Sequence, residues 1–273
     1  MADWDETIEG GMIESPEQRT EEINRKVTPV FFLIDVSGSM SGKKIDIVNN
    51  SMEAIMRDLS DMDSADFDLR FAVLSFETNC VWVTGDKLQP CDGEWDALET
   101  GSLTYFNTAC RELKEKLSGK HGFFNFATGK TITPPVIILL TDGYANDGDA
   151  DGKDGIADLK QNKYFKGSYK LAIAVGDDAN QNLCINFTGD KELVFTAYNE
   201  KALRGLLNAV IKGSIVVSSS GTSNPNAETG GTTEPDKFEP DKNILKQTLG
   251  AEIKSNPDLE ESVNVAANED WDD

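Results

Sequence analysis

Apolar and polar positions along this chain fall into blocks with two different periods. Short, near-continuous apolar runs occur at Val30–Ile34, Leu69–Phe76, Val81–Val83, Val136–Leu140, Leu171–Val175 and Leu193–Thr196. Runs of this length, bounded by small polar residues, read as strands of a sheet buried on both faces. Between them the apolar residues recur at helical spacing. Ile45–Leu59 carries Ile45, Val48, Met52, Ile55, Met56 and Leu59, Phe106–Leu117 carries Phe106, Leu113 and Leu117, and Ala202–Ile211 carries Leu203, Leu206, Leu207, Val210 and Ile211. Asn199 stands where this last helix would start, and Gly213 reads as its stop. Glu77–Asn79 reads as a hairpin turn between the second and third strands. Such alternation predicts a doubly wound, mostly parallel six-stranded sheet with helices on both faces.

Both periods fade at the ends of the chain. Residues 1–26 are polar and acidic, and read as a flexible lead-in with room for a short helix at Glu17–Lys26. From residue 213 onward the composition shifts to Ser, Thr, Gly, Pro and Asn, which cannot bury a core. A weak helical pattern follows at Lys242–Lys254, then the acidic end NEDWDD. The expected organisation is therefore one domain over residues 27–212 and a largely disordered linker and tail over 213–273.

Charge narrows the classes of partner. The formal net charge is -22, which disfavours nucleic acid and anionic membrane surfaces. No apolar stretch approaches the roughly 18 residues of a membrane helix. The acidic start, MADWDETIEGG, has no apolar h-region, so no secretory signal and a cytoplasmic setting are expected. Cys80, Cys91, Cys110 and Cys184 show no CxxC spacing and read as reduced thiols. A monomer is expected.

The candidate chemistry lies in VFFLIDVSGSM, residues 30–40. The first strand delivers Asp35, then Ser37 and Ser39, into the loop at its carboxyl end, where open α/β sheets bind ligands. One carboxylate and two hydroxyls at alternate positions form a hard, all-oxygen set suited to Mg²⁺ or Mn²⁺. Taken alone, the same three residues also fit a capped turn. Two further segments extend the set. GSLTYFNTA places Thr104 at the start of a helix, and PVIILL runs into TDG, which puts Asp142 at another strand's carboxyl end. In a parallel sheet those ends share one edge, so Asp35, Ser37, Ser39, Thr104 and Asp142 can converge.

On these motifs the chain, over roughly residues 27–212, resembles the von Willebrand factor A domain, a Rossmann-like fold with a metal-ion-dependent adhesion site. Asp35, Ser37 and Ser39 match that family's DxSxS, Asp142 of TDG matches its later aspartate, and Thr104 fits its distant threonine. The glycine usual just before that threonine is Leu103 here, and Thr108 is the runner-up for the role. PPVIILLTDG and LAIAVGDDAN make the chain most similar to the bacterial tellurium-resistance TerY-like group. The resemblance implies that Ser37, Ser39 and Thr104 bind Mg²⁺ or Mn²⁺ directly, with Asp35 and Asp142 acting partly through water. An open coordination position would then take an acidic side chain from a partner protein, without catalysis. It further implies a Ser/Thr kinase or phosphatase as partner, in a stress or tellurite-resistance system. Thr222, Thr229, Thr232 and Thr233 would then be candidate phosphosites.

A second acidic run, DGDADGKDGIAD, places Asp147, Asp149, Asp151, Gly152 and Asp158 at calcium-loop spacing, which would make a weak Ca²⁺ site. Asp154 stands where such a loop wants an apolar residue, and its twelfth position is Asp, not Glu; a solvated acidic turn is the favoured reading of the run. Gly129-Lys130-Thr131 is a poor phosphate loop, because it precedes a strand. His121 reads as solvent-facing, Trp82 and Trp95 as packing residues, and Trp4 and Trp271 as docking candidates in the acidic ends. Two competing functions remain. A haloacid-dehalogenase-like phosphatase would need a second aspartate where Ser37 stands. A self-regulated domain would place the acidic tail, Glu269–Asp273, on its own metal site at an effective concentration of about millimolar.

Overall fold

The computed structural model describes residues 26–62, 67–90, 94–125, 132–176, 178–219, 240–256, 259 and 263–265. Its strands are β1 (Lys26–Asp35), β2 (Phe67–Phe76), β3 (Cys80–Trp82), β4 (Gln89–Pro90), β5 (Val136–Thr141), β6 (Tyr169–Val175), β7 (Val194–Ala197) and β8 (Val263–Val265). Its helices are α1 (Lys43–Met62), α2 (Phe106–Lys116), α3 (Lys153–Leu159), α4 (Lys163–Lys166), α5 (Gln181–Thr188), α6 (Glu200–Ser219) and α7 (Lys242–Ser255).

The strands form one mixed sheet in the order β3-β2-β1-β5-β6-β7-β8, with β4 also on β2. β2, β1, β5, β6 and β7 run parallel, while β3, β4 and β8 pair antiparallel at the margins. β1 lies between β2 and β5. The chain therefore builds the sheet outward in two directions from β1, and the crevice at the carboxyl ends of β1 and β5 is the topological switch point.

Alternate residues of β1 feed two cores. Val30, Phe32 and Ile34 pack with Val48, Met52 and Ile55 of α1, Leu203, Leu206 and Leu207 of α6, and Leu245 and Leu249 of α7. Phe31 and Leu33 pack on the other face with Phe106, Ala109 and Leu113 of α2, Ile156 of α3 and Phe187 of α5. Every residue of β5 and β6 is buried, which is why these segments lack the period of two seen in a half-exposed strand.

Three expectations need correction. Among the described residues the sheet has eight strands, not six; β4 and β8 are two and three residues long and are defined by the strands they pair with, so they leave no periodic signal. Gly213 does not stop a helix, because α6 continues to Ser219. A Cβ on Gly213 would lie 3.3 Å from both Leu245 Cδ1 and Thr248 Cγ2, so this glycine marks a close helix crossing. The third concerns the region beyond residue 212. It contributes the end of α6, all of α7, with Leu245 and Leu249 buried, and β8, so the domain does not end at Lys212. The short helices α3, α4 and α5 were not foreseen. Glu17–Lys26 (but for Lys26), Gly129–Thr131, Cys91, the linker threonines, Trp4 and Trp271 lie outside the described residues. Cys80, Cys110 and Cys184 are free thiols.

Candidate metal centre

Two strands and two loops assemble the site. β1 ends on Asp35, which is fully buried, and β5 ends on Thr141, immediately before Asp142. Backbone hydrogen bonds bind the loop after β1 to its neighbours: Val36 N–H donates to Phe76 O (2.9 Å), Gly38 N–H to Ser102 O (2.9 Å), and Gly101 N–H to Val36 O (2.6 Å). The loop bearing Thr104 is thus fastened against the DxSxS loop. Thr104 itself is fixed by a reciprocal pair with Asn146, whose Oδ1 accepts from Thr104 N–H and whose N–H donates to Thr104 O, both at 2.8 Å.

The side chains form a connected set. Ser37 N–H donates to Asp35 Oδ1 (2.9 Å) and Thr141 Oγ1 donates to Asp35 Oδ2 (2.6 Å). Ser39 Oγ donates to Asp142 Oδ1 at 2.7 Å and lies 3.1 Å from Ser37 Oγ. Ser39 thus spends its proton on Asp142 with the Ser37 hydroxyl beside it. Gly143 marks the centre: a Cβ there would stand 3.1 Å from Thr104 Oγ1, 3.5 Å from Asp35 Oδ2 and 3.7 Å from Ser39 Oγ. Oxygens from two separate loops therefore surround one small cradle on a third segment, which the absent glycine side chain leaves open.

Electrostatics agree with a cation site. Burial pushes the Asp35 carboxyl up to about 6, against the lowering hydrogen bonds from Thr141 and Ser37, and the neighbouring Asp142 adds to the rise. A carboxylate so desolvated gains much from a cation placed against it. On the outer side, the Lys44 ammonium bridges Asp142 Oδ2 and Asp178 Oδ1. Burial opposes the lysine's charge, but its hydrogen bonds to Asp142 and Asp178 outweigh burial and raise its pKa above the ordinary value.

All five residues expected from sequence, Asp35, Ser37, Ser39, Thr104 and Asp142, are thus brought to one place. Thr108 is engaged elsewhere, donating through N–H and Oγ1 to Asp147 Oδ2 at 2.7 and 2.6 Å. Sequence reasoning missed Thr141, Gly143, Asn146, Lys44 and Asp178. Thr141 and Gly143 flank Asp142 within TDG, where the motif could have flagged them. Lys44 and Asp178 are 134 positions apart, and no spacing rule joins them.

The structure does not gather the second acidic set. Asp147 accepts the N–H groups of Asn107 and Thr108 and so caps the first turn of α2 from another loop. Asp149 accepts from Asp151 N–H and Lys153 N–H within its own turn. Asp151 faces Asn180 and Lys153, and Asp158 faces Arg111 and Lys114. Among the described residues no group of three or more His, Cys, Asp or Glu side chains is placed to hold an ion. The run is an acidic capped turn, with Gly152 in the left-handed region at φ 70° before α3. His121 is exposed. Trp82 packs on Phe123 and donates to Glu112, and Trp95 donates to Asn49.

Comparison with known proteins places the fold. The chain superposes on the von Willebrand factor domain of the type V pili tip protein Mfa5 from Porphyromonas gingivalis with a TM-score of 0.54 and 13% identity, covering 72% of this chain and 98% of that one. A von Willebrand factor type A protein from Catenulispora acidiphila gives 0.51 and 18% identity, covering 70% of this chain and 43% of that one. In sequence, inter-alpha-trypsin inhibitor heavy chain H3 from Homo sapiens is 30% identical over 129 residues, 44% of this chain but 13% of that protein. No protein-family model matches the chain. The architecture is the Rossmann-like von Willebrand factor A fold. No helix among the described residues is long and apolar enough to cross a membrane.

Proposed function

We propose that this chain is a non-catalytic, divalent-cation-dependent protein-interaction module. The observation that carries the reading is the cradle at Gly143, where oxygens of Asp35 and Ser39 from one loop and of Thr104 from another approach one point. Ser37, Ser39 and Thr104 would hold Mg²⁺ or Mn²⁺, with the two carboxylates oriented around it by Thr141, Ser37 and Lys44. Small hard cations favour oxygen donors and retain exchangeable water. Few direct carboxylates leave the ion net positive, so it supplies a Lewis-acidic position for an acidic side chain of a partner. Leu103 and Tyr144, both exposed, flank Thr104 and Gly143 in sequence and would border that partner.

A haloacid-dehalogenase-like phosphatase is disfavoured by the same geometry. The position such an enzyme needs for acid/base work is Ser37, whose hydroxyl bonds Ser39 and cannot titrate near neutral pH. The finer assignment, a TerY-like cytoplasmic protein with a Ser/Thr kinase or phosphatase partner in stress or tellurite resistance, belongs to the proposal on the strength of the sequence motifs alone.

The test is an affinity capture from the native host's lysate, run in Mg²⁺, in EDTA, and with an Asp35→Ala/Ser37→Ala variant. A partner retained only by the unaltered chain in Mg²⁺ is the expected result. Partners indifferent to both metal and substitution would move the binding surface away from the cradle.

A further inference from the structure

Asp142 has two oxygens, and the structure commits them differently. Oδ1 accepts from Ser39 Oγ at 2.7 Å and faces the cradle. Oδ2 is taken by the Lys44 ammonium. Lys44 reaches this position from the first turn of α1, and Asp178, at the carboxyl end of β6, holds it from the far side at 2.7 Å. Space for its stem comes from Gly176, which closes β6 at φ +94°; a Cβ there would lie 2.9 Å from Lys44 Cε and 3.1 Å from Asp178 Oδ1. The side chain is 20% exposed and Asp142 1%, so water screens this pair little on the Asp142 side. Three segments therefore cooperate to set one ammonium against the outer oxygen of the candidate metal-site aspartate.

We propose that Lys44 is a positioning residue that sets the ion preference and residual charge of the metal centre, by denying Asp142 a bidentate mode. The inference rests on the metal-site reading above and deepens it. Two physical consequences follow. First, Ca²⁺ takes six to eight oxygens and gains from bidentate carboxylates, whereas Mg²⁺ is satisfied by single oxygens and water in an octahedron. Occupying Oδ2 with an ammonium thus penalises Ca²⁺ more than Mg²⁺. Second, Lys44, shared with Asp178, offsets part of the Asp142 charge, so the bound dication retains more positive character toward an incoming acidic side chain. The centre gives up metal affinity in exchange for stronger ligand attraction.

Titration calorimetry of the full chain with Mg²⁺ and Ca²⁺ separately tests this, using the unaltered protein, Lys44→Met and Lys44→Arg. Removing the charge in Lys44→Met should tighten both ions, with Ca²⁺ gaining about tenfold more than Mg²⁺ as Asp142 becomes free to bind through both oxygens. Lys44→Arg, which keeps a cationic donor, should retain the original preference. Thermal unfolding in EDTA verifies that each variant folds. An unchanged Mg²⁺/Ca²⁺ ratio in a folded Lys44→Met would overturn the role of Lys44 while leaving the metal centre standing. Absence of binding of either ion to the unaltered chain would overturn the metal centre itself, and this inference with it. A merely structural lysine would lower stability without moving the ratio.

Discussion

At the scale of single residues, the same side-chain type serves opposite purposes according to what surrounds it. Asp35 is buried at a strand end and receives two hydrogen bonds, leaving its charge to be met from the cradle. Asp147, also in a loop at the sheet's carboxyl edge, spends both oxygens on the amides and side chains of Asn107 and Thr108. Sequence spacing alone leaves Asp147 open to two uses, a turn residue or a weak calcium ligand; the positions of its donors make it a helix cap. Replacing it with alanine leaves the first turn of α2 without that acceptor. The Asp147→Ala variant should lose about 1–2 kcal/mol of stability, measured by urea unfolding in EDTA. A loss seen only in Ca²⁺ buffer would restore the ion-loop reading. The α2 cap also bears on function, because Thr104 lies two residues ahead of that helix.

At the scale of elements, close approach decides what pattern cannot. α6 and α7 cross at Gly213, where the missing side chain lets Leu245 and Thr248 come within contact. In a sequence, a glycine at the end of an apolar helical period reads as a stop, since both uses of glycine exploit the same absent Cβ. Only the partner helix distinguishes them. Gly213→Leu has better helix propensity but would drive a branched side chain into α7. Overpacking of this kind costs about 1–3 kcal/mol. The expected signature is loss of hydrogen-exchange protection in residues 242–255 with α6 still protected around Leu203–Leu207. Undiminished protection in α7 would show that the crossing tolerates bulk. Helix starts were more legible. Asn199, read from the sequence as a cap, accepts from Ala202 N–H at 2.9 Å, because capping needs only a few consecutive positions and no distant partner.

At the scale of the whole molecule, the fold closes over a sheet whose two faces draw on helices far apart in the chain. α7 arrives last and covers part of the face already lined by α1 and α6, burying Leu245 and Leu249. A deletion beginning at residue 214 would therefore cut α6 and strip α7 together, and could not isolate any effect of the acidic end. Ending the chain at residue 239 removes α7 and β8 while leaving α6 whole. Each buried leucine lost contributes about 1.5–3 kcal/mol, against a total domain stability of about 5–15 kcal/mol. Such a chain should unfold at markedly lower urea, and a midpoint equal to that of the full chain would show α7 to be dispensable. The sequence by itself determined the doubly wound class, the main strands and helices, and which five oxygen-bearing residues meet at the sheet's carboxyl edge. Each of these is written in a local period or in a motif at a strand's end, where neighbours in the chain are neighbours in space. Tertiary structure decided the rest: the short edge strands, the helix crossing at Gly213, the use of Asp147 as a cap, and the Lys44–Asp178 clasp on Asp142. These depend on hydrogen bonds, ion pairs and contacts between segments remote in sequence, and sheet topology, which no local pattern encodes, brings those segments together.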